Sequence, residues 1–538
     1  MILRAVATAI FVFVFVFVSA ESATALLREP DKTIMIPMRD GSNLPADLYY
    51  PSGKIKNLPC ILMRSPAGRK AVPWRKYTKL TEDGFLVVIQ DTRSAGDPDG
   101  KIFPYLDDGW GEKKDGYDTV EWLGQSAMTN GNIGTLGFSA LGISQQMLAP
   151  TDPPSLKCQY IGVAAGSIYH HAAYPGGQLL KNQVEGWLKL YAKDPSVYSF
   201  LCTQSAYNDF WKNFDTIDAA HKISAPAIHY GGWYDTFIQG SLDSFVSRQT
   251  KGKKGAFGKQ KLIIGPWTHY WPENIKLGDF EVPLKAREMP KEFAPQRWFD
   301  HYLKGTINKV EELPPVTYYL MGPFDGSPSS GNVWRIASEW PVPSVIVPFY
   351  LDDNKGLTNE LPAFPEKTYS YEYNPENPVP TLGGRNLFVE SGPKDQRSLE
   401  SRDDVITFTG PALTEEIEII GRIFARLFFS SDTKPADAVV RFCDVYPDGK
   451  SILIADGIFH APVQSDESTG ISEISVDLWS TAIVIAKGHR LRISVSGSNY
   501  PRYEKSVIEK NSSPGKNTIY TGKAYPSSLL LPIVPPKS

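Results

Sequence analysis

A serine set among glycines is the first place in this chain where chemistry could happen. In Asn132-Ile133-Gly134-Thr135-Leu136-Gly137-Phe138-Ser139-Ala140-Leu141-Gly142, a strand-like run reaches Gly137-Phe138-Ser139 and a helical pattern leaves it. So sharp a turn holds the serine hydroxyl strained and exposed above the sheet. The next backbone N–H, that of Ala140, then faces the oxygen on which negative charge develops during acyl transfer. The same pattern also suits a glycine-rich turn whose serine merely caps the helix. Its place after the third strand-like run of an alternating pattern favours the nucleophile.

A serine nucleophile needs a base, and the chain has eight histidines. His170 and His171 fall in an irregular, aromatic-rich stretch and His221 at its edge. His229 lies inside an apolar strand, His301 in a helical stretch, and His460 and His489 in the β-rich last third. His269 alone sits in a loop just past a strand, Gly265-Pro266-Trp267-Thr268-His269, where its imidazole can turn back over the sheet edge. A third group must orient that ring and stabilise its charged form. Asp235 follows Gly232-Trp233-Tyr234 at another strand end, where it would equally serve as a helix N-cap; Asp243 is the alternative. The order Ser139, Asp235, His269 is the one expected on an α/β-hydrolase sheet.

The elements that must position these residues are legible as changes of period. Leu58 to Arg64 and Leu86 to Gln90 are apolar runs of the kind that parallel strands, covered on both faces, present. Asp118 to Leu123 is helical in pattern, Ile133 to Phe138 a strand, and Leu141 to Leu148 a helix. From Gly166 to about His221 strands give way to an insertion, after which Ala227–Trp233 and Lys261–Gly265 resume the sheet. Beyond Pro341 the chain alternates as β-strands do, with a turn at Pro447-Asp448-Gly449-Lys450. The expected architecture is therefore α/β with an all-β C-terminal sandwich: a first sheet segment at 31–168, a helical cap at 169–221, a second sheet segment at 222–342 and the sandwich, of jelly-roll type, at 343–538.

Residues 1–20 carry one positive charge, an apolar run and small residues at a cut site, Val18-Ser19-Ala20. That is the plan of a secretory signal, so a secreted or periplasmic protein without stable membrane insertion is expected. With 56 Lys+Arg against 59 Asp+Glu, the net charge of −3 argues against a nucleic-acid partner. Cys60, Cys158, Cys202 and Cys443 have no C-x-x-C spacing, so no metal site is expected; export permits a disulfide, with Cys158–Cys202 the first choice. Asn511-Ser512-Ser513 is a glycosylation acceptor triplet. Gln260 stands where a phosphate loop after Gly258-Lys259 requires Ser or Thr, and there is no dinucleotide fingerprint, so no cofactor is implied.

These motifs together resemble the cocaine esterase and X-prolyl dipeptidyl-peptidase family of serine hydrolases, the bacterial cocaine-esterase branch most of all. The marks are Gln90-Asp91-Thr92-Arg93, Gly137 to Gly142, Gly232-Trp233-Tyr234-Asp235, Gly265 to His269, Asp395-Gln396-Arg397 and Arg402-Asp403-Asp404-Val405, between about Ile34 and Pro532. The resemblance implies an α/β-hydrolase domain with an inserted helical cap and a C-terminal jelly roll of galactose-binding-like type. It also favours Asp235 over Asp243, with Ala140 in the oxyanion hole and a small-molecule ester or amide as substrate. One departure stands out. Where the family has Arg-x-Pro-Tyr, with the tyrosine hydroxyl donating to the oxyanion, this chain has Arg64-Ser65-Pro66-Ala67. Loss of one such donor costs about 10²–10³ in rate, so either the enzyme is slow on ordinary esters or another donor substitutes, such as the Gly68 N–H, Tyr77 or a water.

Overall fold

The computed structural model describes residues 28–535 except 72–75, 98, 110, 193, 433–434, 462–469 and 507–514. The expected signal at 1–20 and the triplet Asn511-Ser512-Ser513 lie outside the described residues. An antiparallel pair, β1 (Lys32–Pro37) and β2 (Asn43–Tyr49), leads into β3 (Leu58–Ser65) and β4 (Leu86–Asp91). Every residue of β3 and β4 is buried, as their uninterrupted apolar runs require. After α1 (Asp115–Gly124) come β5 (Thr129–Phe138), α2 (Ala140–Leu148) and β6 (Leu156–Gly162). The insertion follows, with α3 (Lys181–Tyr191), α4 (Pro195–Cys202) and the single turn α5 (Asp209–Lys212).

The chain then returns as β7 (Ala227–Tyr234), α6 (Ile238–Lys251) and β8 (Lys261–Thr268). A small ribbon of β9 (Lys276–Leu277) and β10 (Phe280–Glu281) precedes α7 (Pro295–Lys304), β11 (Val316–Leu320) and β12 (Val333–Ala337). The main sheet has the order β1-β2-β4-β3-β5-β6-β7-β8-β11-β12. Its strands from β4 through β11 run parallel. Opposite faces of β5 meet different helices. A Cβ on Gly134 would touch Phe299 of α7, whereas one on Gly137 would strike Leu141 of α2.

β6 and β11 are absent from the strands named on sequence. In β6, Lys157 and Gln159 interrupt the apolar run. Gln159 is nevertheless fully buried, because its amide donates to Thr135 Oγ1 (3.2 Å) and the Gln145 carbonyl (3.0 Å) and accepts from Arg248 (2.7 Å). A hydrogen-bonded amide costs little to bury, and pattern alone does not reveal its partners.

Among the described residues, eleven more strands, β13 to β23, run from Val345 to Ile533 in a seven-stranded and a four-stranded sheet. β18 (Ala436–Val445) and β19 (Ser451–Ala461) form the hairpin around Asp448-Gly449, with Val445 opposite Ser451. This β-rich region touches the main sheet near its active end: Tyr234 donates to the Leu453 carbonyl (3.1 Å), and Ser480 donates twice to Gln239. The expected Cys158–Cys202 disulfide does not form; all four cysteines are free. Cys158 is enclosed within β6, whereas Cys202 is exposed at the end of cap helix α4. No helix among the described residues is long and apolar enough to cross a membrane.

Candidate active site

Ser139, Asp235 and His269 are each the first residue beyond the carboxyl end of a parallel strand, β5, β7 and β8 respectively. That shared position brings together residues far apart in sequence. Ser139 has φ 56° and ψ −124°, a conformation rare for a residue with a side chain. Its N–H donates to the Gly162 carbonyl (3.0 Å), and its own carbonyl accepts from Ile143 (2.9 Å), locking strand to helix.

The glycines around it are required by contact. A Cβ on Gly137 would lie 2.7 Å from the Leu141 carbonyl oxygen, and one on Gly142 would lie 2.8 Å from that of Gly162. Gly142→Ala is therefore expected to destabilise the protein by about 1–3 kcal/mol, the usual cost of overpacking, read as a lower urea midpoint.

Ser139 Oγ lies 2.8 Å from His269 Nε2. On the far side of the ring, His269 Nδ1 lies 3.1 Å from Asp235 Oδ2 and 3.4 Å from Oδ1. Asp235 is wholly enclosed, and its Oδ1 also accepts the Phe237 N–H at 2.6 Å. The carboxylate thus makes the cap-like bond that its position suggests while facing the imidazole. Phe237 packs edge-on against His269, with ring centroids 5.5 Å apart, and limits the ring's rotation. Nothing in the sequence marks Phe237, because its contact depends on the turn between β7 and α6.

Asp243, the alternative partner, belongs elsewhere. It lies on α6, bonded to His171 Nε2 (3.1 Å) and Gln239 (2.8 Å). The remaining histidines are engaged elsewhere: His229 is buried against Gln260, and burial drives its pKa down to about 3; His460 and His489 pair with Asp437 and Asp444; His221 and His301 bond the Asp218 and Thr306 carbonyls; and the His170 ring lies 4.8 Å from that of Tyr207.

Ala140 begins α2, with its N–H in the first turn, where helical N–H groups have no partner four residues back. The Gly68 N–H, expected as a replacement donor, is engaged: it donates to the Ser65 carbonyl at 3.2 Å, closing a turn in which Gly68 has φ +90°. Tyr77 lies near the elbow, its ring 5.2 Å from that of Phe138.

A mostly parallel sheet whose first eight strands run 1-2-4-3-5-6-7-8, with a serine elbow after the fifth, defines an α/β-hydrolase fold. The model of the X-Pro dipeptidyl-peptidase (S15) family matches residues 40–199 and 188–271, and that of the X-Pro dipeptidyl-peptidase C-terminal non-catalytic domain matches 308–530. The chain belongs to this family of cocaine esterase and X-prolyl dipeptidyl-peptidase-like serine hydrolases. It is 29% identical to the cocaine esterase of Rhodococcus sp. (strain MB1 Bresler), over 93% of this chain and 98% of that protein. Among solved structures, an aminopeptidase from a marine sediment Thaumarchaeota archaeon superposes with a TM-score of 0.78 at 21% identity, covering 94% of this chain and 96% of that one. An α-amino acid ester hydrolase gives 0.76 at 22% identity, with coverages of 94% and 96%. At these identities the two structures establish the fold.

Proposed function

We propose that this protein is an exported serine esterase that cleaves carboxylic esters through an acyl-enzyme. The observation that carries the reading is the linear contact from Ser139 Oγ through the His269 ring to buried Asp235. In this reading Ser139 attacks the carbonyl carbon while His269 Nε2 takes its proton. Asp235 holds Nδ1 protonated and stabilises the imidazolium that forms, and the Ala140 N–H bonds the oxyanion. His269 then returns the proton to the departing alcohol. Water, deprotonated by the same ring, releases the acid and restores Ser139. Export rests on the pattern of residues 1–20, and the C-terminal sheets are read as a jelly roll.

The test is labelling of the mature protein with a fluorophosphonate. The parent is expected to label and Ser139→Ala to remain unlabelled; equal labelling of both, or of neither, would overturn the mechanism. A second reading, cleavage of X-prolyl dipeptides, draws on the S15 family match. Parallel assays with p-nitrophenyl esters and proline-containing dipeptide anilides separate the two, and faster hydrolysis of the anilides would favour the peptidase.

A further inference from the structure

A cavity of about 260 Å³ opens where three parts of the chain meet. The insertion contributes residues between Ser167 and Asp218, and α6 contributes Asp243. Two strands of the C-terminal region, β17 (Ile417–Ser431) and β20 (Ser472–Ile485), contribute Arg422, Asp477 and Trp479. Ser139, Asp235, His269 and Phe237 are not among the lining residues, so the cavity shares no wall with the triad.

Its charges do not balance. Four carboxylates, Asp215, Asp218, Asp243 and Asp477, face one guanidinium, that of Arg422. Asp477 takes up that charge: Arg422 Nε lies 3.1 and 3.0 Å from its two oxygens, and Nη2 bonds Oδ2. Asp243 lies 3.7 Å from Arg422 Nη1 and is further satisfied by neutral donors. His171 Nδ1 accepts the Ser167 N–H (3.0 Å), so Nε2 carries the ring proton and donates it to Asp243 at 3.1 Å; Gln239 donates at 2.8 Å.

Asp215 and Asp218 are different. With no lysine and no second arginine in the wall, neither has a cationic partner among the described residues. Asp215 is 5% exposed, yet its bonds come only from neutral donors: the Tyr207 hydroxyl at 3.1 Å and the Ile217 and Asp218 N–H groups at 3.0 and 3.4 Å. A carboxylate withdrawn from water without a counter-charge is a strong attractor for one. An aromatic ring stands at the same spot, because the Tyr207 hydroxyl that bonds Asp215 sets its ring beside that carboxylate. Tyr169 and His170 hold the ring in place, with centroids at 5.3 and 4.8 Å. A cation reaching the two carboxylates therefore also meets a π system. Among the described residues no three carboxylate, imidazole or thiol groups converge closely enough to hold a metal ion. A primary ammonium, compact and with three N–H donors, suits two carboxylates and a phenol ring.

We propose that this cavity binds a primary ammonium group, carried by an aliphatic amine or an amino sugar, through Asp215 and Asp218 with Tyr207 beside them. The site is separate from the ester-cleaving one and does not depend on it.

The experiment is calorimetric titration of the whole protein near about pH 7.5, where an unperturbed imidazole is largely neutral and supplies no competing charge. The probes are n-butylamine and glucosamine, each compared with its uncharged counterpart, 1-butanol or glucose. At least one amine is expected to bind about 10-fold or more tightly than its counterpart, and the tighter amine identifies the source. Asp218→Asn, at an exposed position, is expected to weaken that amine about 10-fold, and Tyr207→Leu about 3-fold. Asp209→Asn removes an exposed carboxylate of the same insertion that does not line the cavity, and is expected to leave the affinity as it is. Equal binding of amine and counterpart, or no binding of either amine, would overturn the proposal. So would undiminished affinity in folded Asp218→Asn, or an equal loss in Asp209→Asn. Circular dichroism checks folding, and if Asp218→Asn does not fold, Tyr207→Leu and the comparison of probes on the parent decide it. A parent that binds amine but takes no fluorophosphonate label loses the esterase reading alone.

Discussion

Asp235→Asn will lower kcat by about 10⁴-fold while the protein stays folded. The size follows from which atom replaces which. Asp235 Oδ1 accepts the Phe237 N–H at 2.6 Å, so in the variant the amide oxygen must remain there. The amide nitrogen then takes the place of Oδ2, 3.1 Å from His269 Nδ1. It donates to Nδ1 and forces the ring proton onto Nε2. In the proposed mechanism that nitrogen, 2.8 Å from Ser139 Oγ, is the one that accepts the serine proton. Ester hydrolysis measured by kcat checks this, and activity within tenfold of the parent would remove the orienting role from Asp235. Asp243→Asn gives the contrast: its oxygens bond His171 and Gln239 rather than His269, and kcat should stay within about threefold, as for a change away from the chemistry.

Arg64→Leu is expected to cost about 3–5 kcal/mol of stability at pH 8 and much less at pH 5. Arg64 and Asp108 form a buried ion pair, each side chain 3% exposed, behind the elbow helix. Burial pushes the Asp108 carboxyl up to about 6 against the opposing attraction of Arg64, whereas an unfolded aspartate titrates near about 3.9. The folded state therefore binds this proton more tightly, and between those values the contribution of Asp108 to stability declines as pH rises. Without Arg64 the carboxyl moves higher still. Near pH 5 it is protonated and tolerable; near pH 8 it must either ionise unpaired or hold its proton against the solvent. Urea midpoints at the two pH values check the sign, and an equal loss at both would remove the charge argument. The paired change Arg64→Leu, Asp108→Leu should recover much of the loss, since a buried ion pair replaced whole is often close to neutral.

The parts of the site that were readable in the sequence share one property: their signal is local. Ser139 stood out because Gly137 and Gly142, which the turn requires, themselves lie within three residues of the serine. β3 and β4 were visible because strands covered on both faces are apolar throughout. β6 was not, because its buried Gln159 is made acceptable by Thr135, Gln145 and Arg248, partners from other elements. The disulfide expectation failed for a related reason, since cysteine spacing does not reveal that Cys158 is enclosed within the sheet while Cys202 ends an exposed helix of the insertion.

By itself the sequence determined the residue types of a serine, an imidazole and a carboxylate, each ending a strand, together with the chain order of an α/β-hydrolase and the family the chain belongs to. Tertiary structure decided the assignments among equals. Asp235 faces His269 because β7 and β8 are adjacent and parallel, while Asp243, eight residues on, is carried by α6 toward His171. It also decided that the Gly68 N–H is engaged with the Ser65 carbonyl. Hydrogen bonds and adjacency across strands depend on where the whole chain has packed, and no local pattern encodes them.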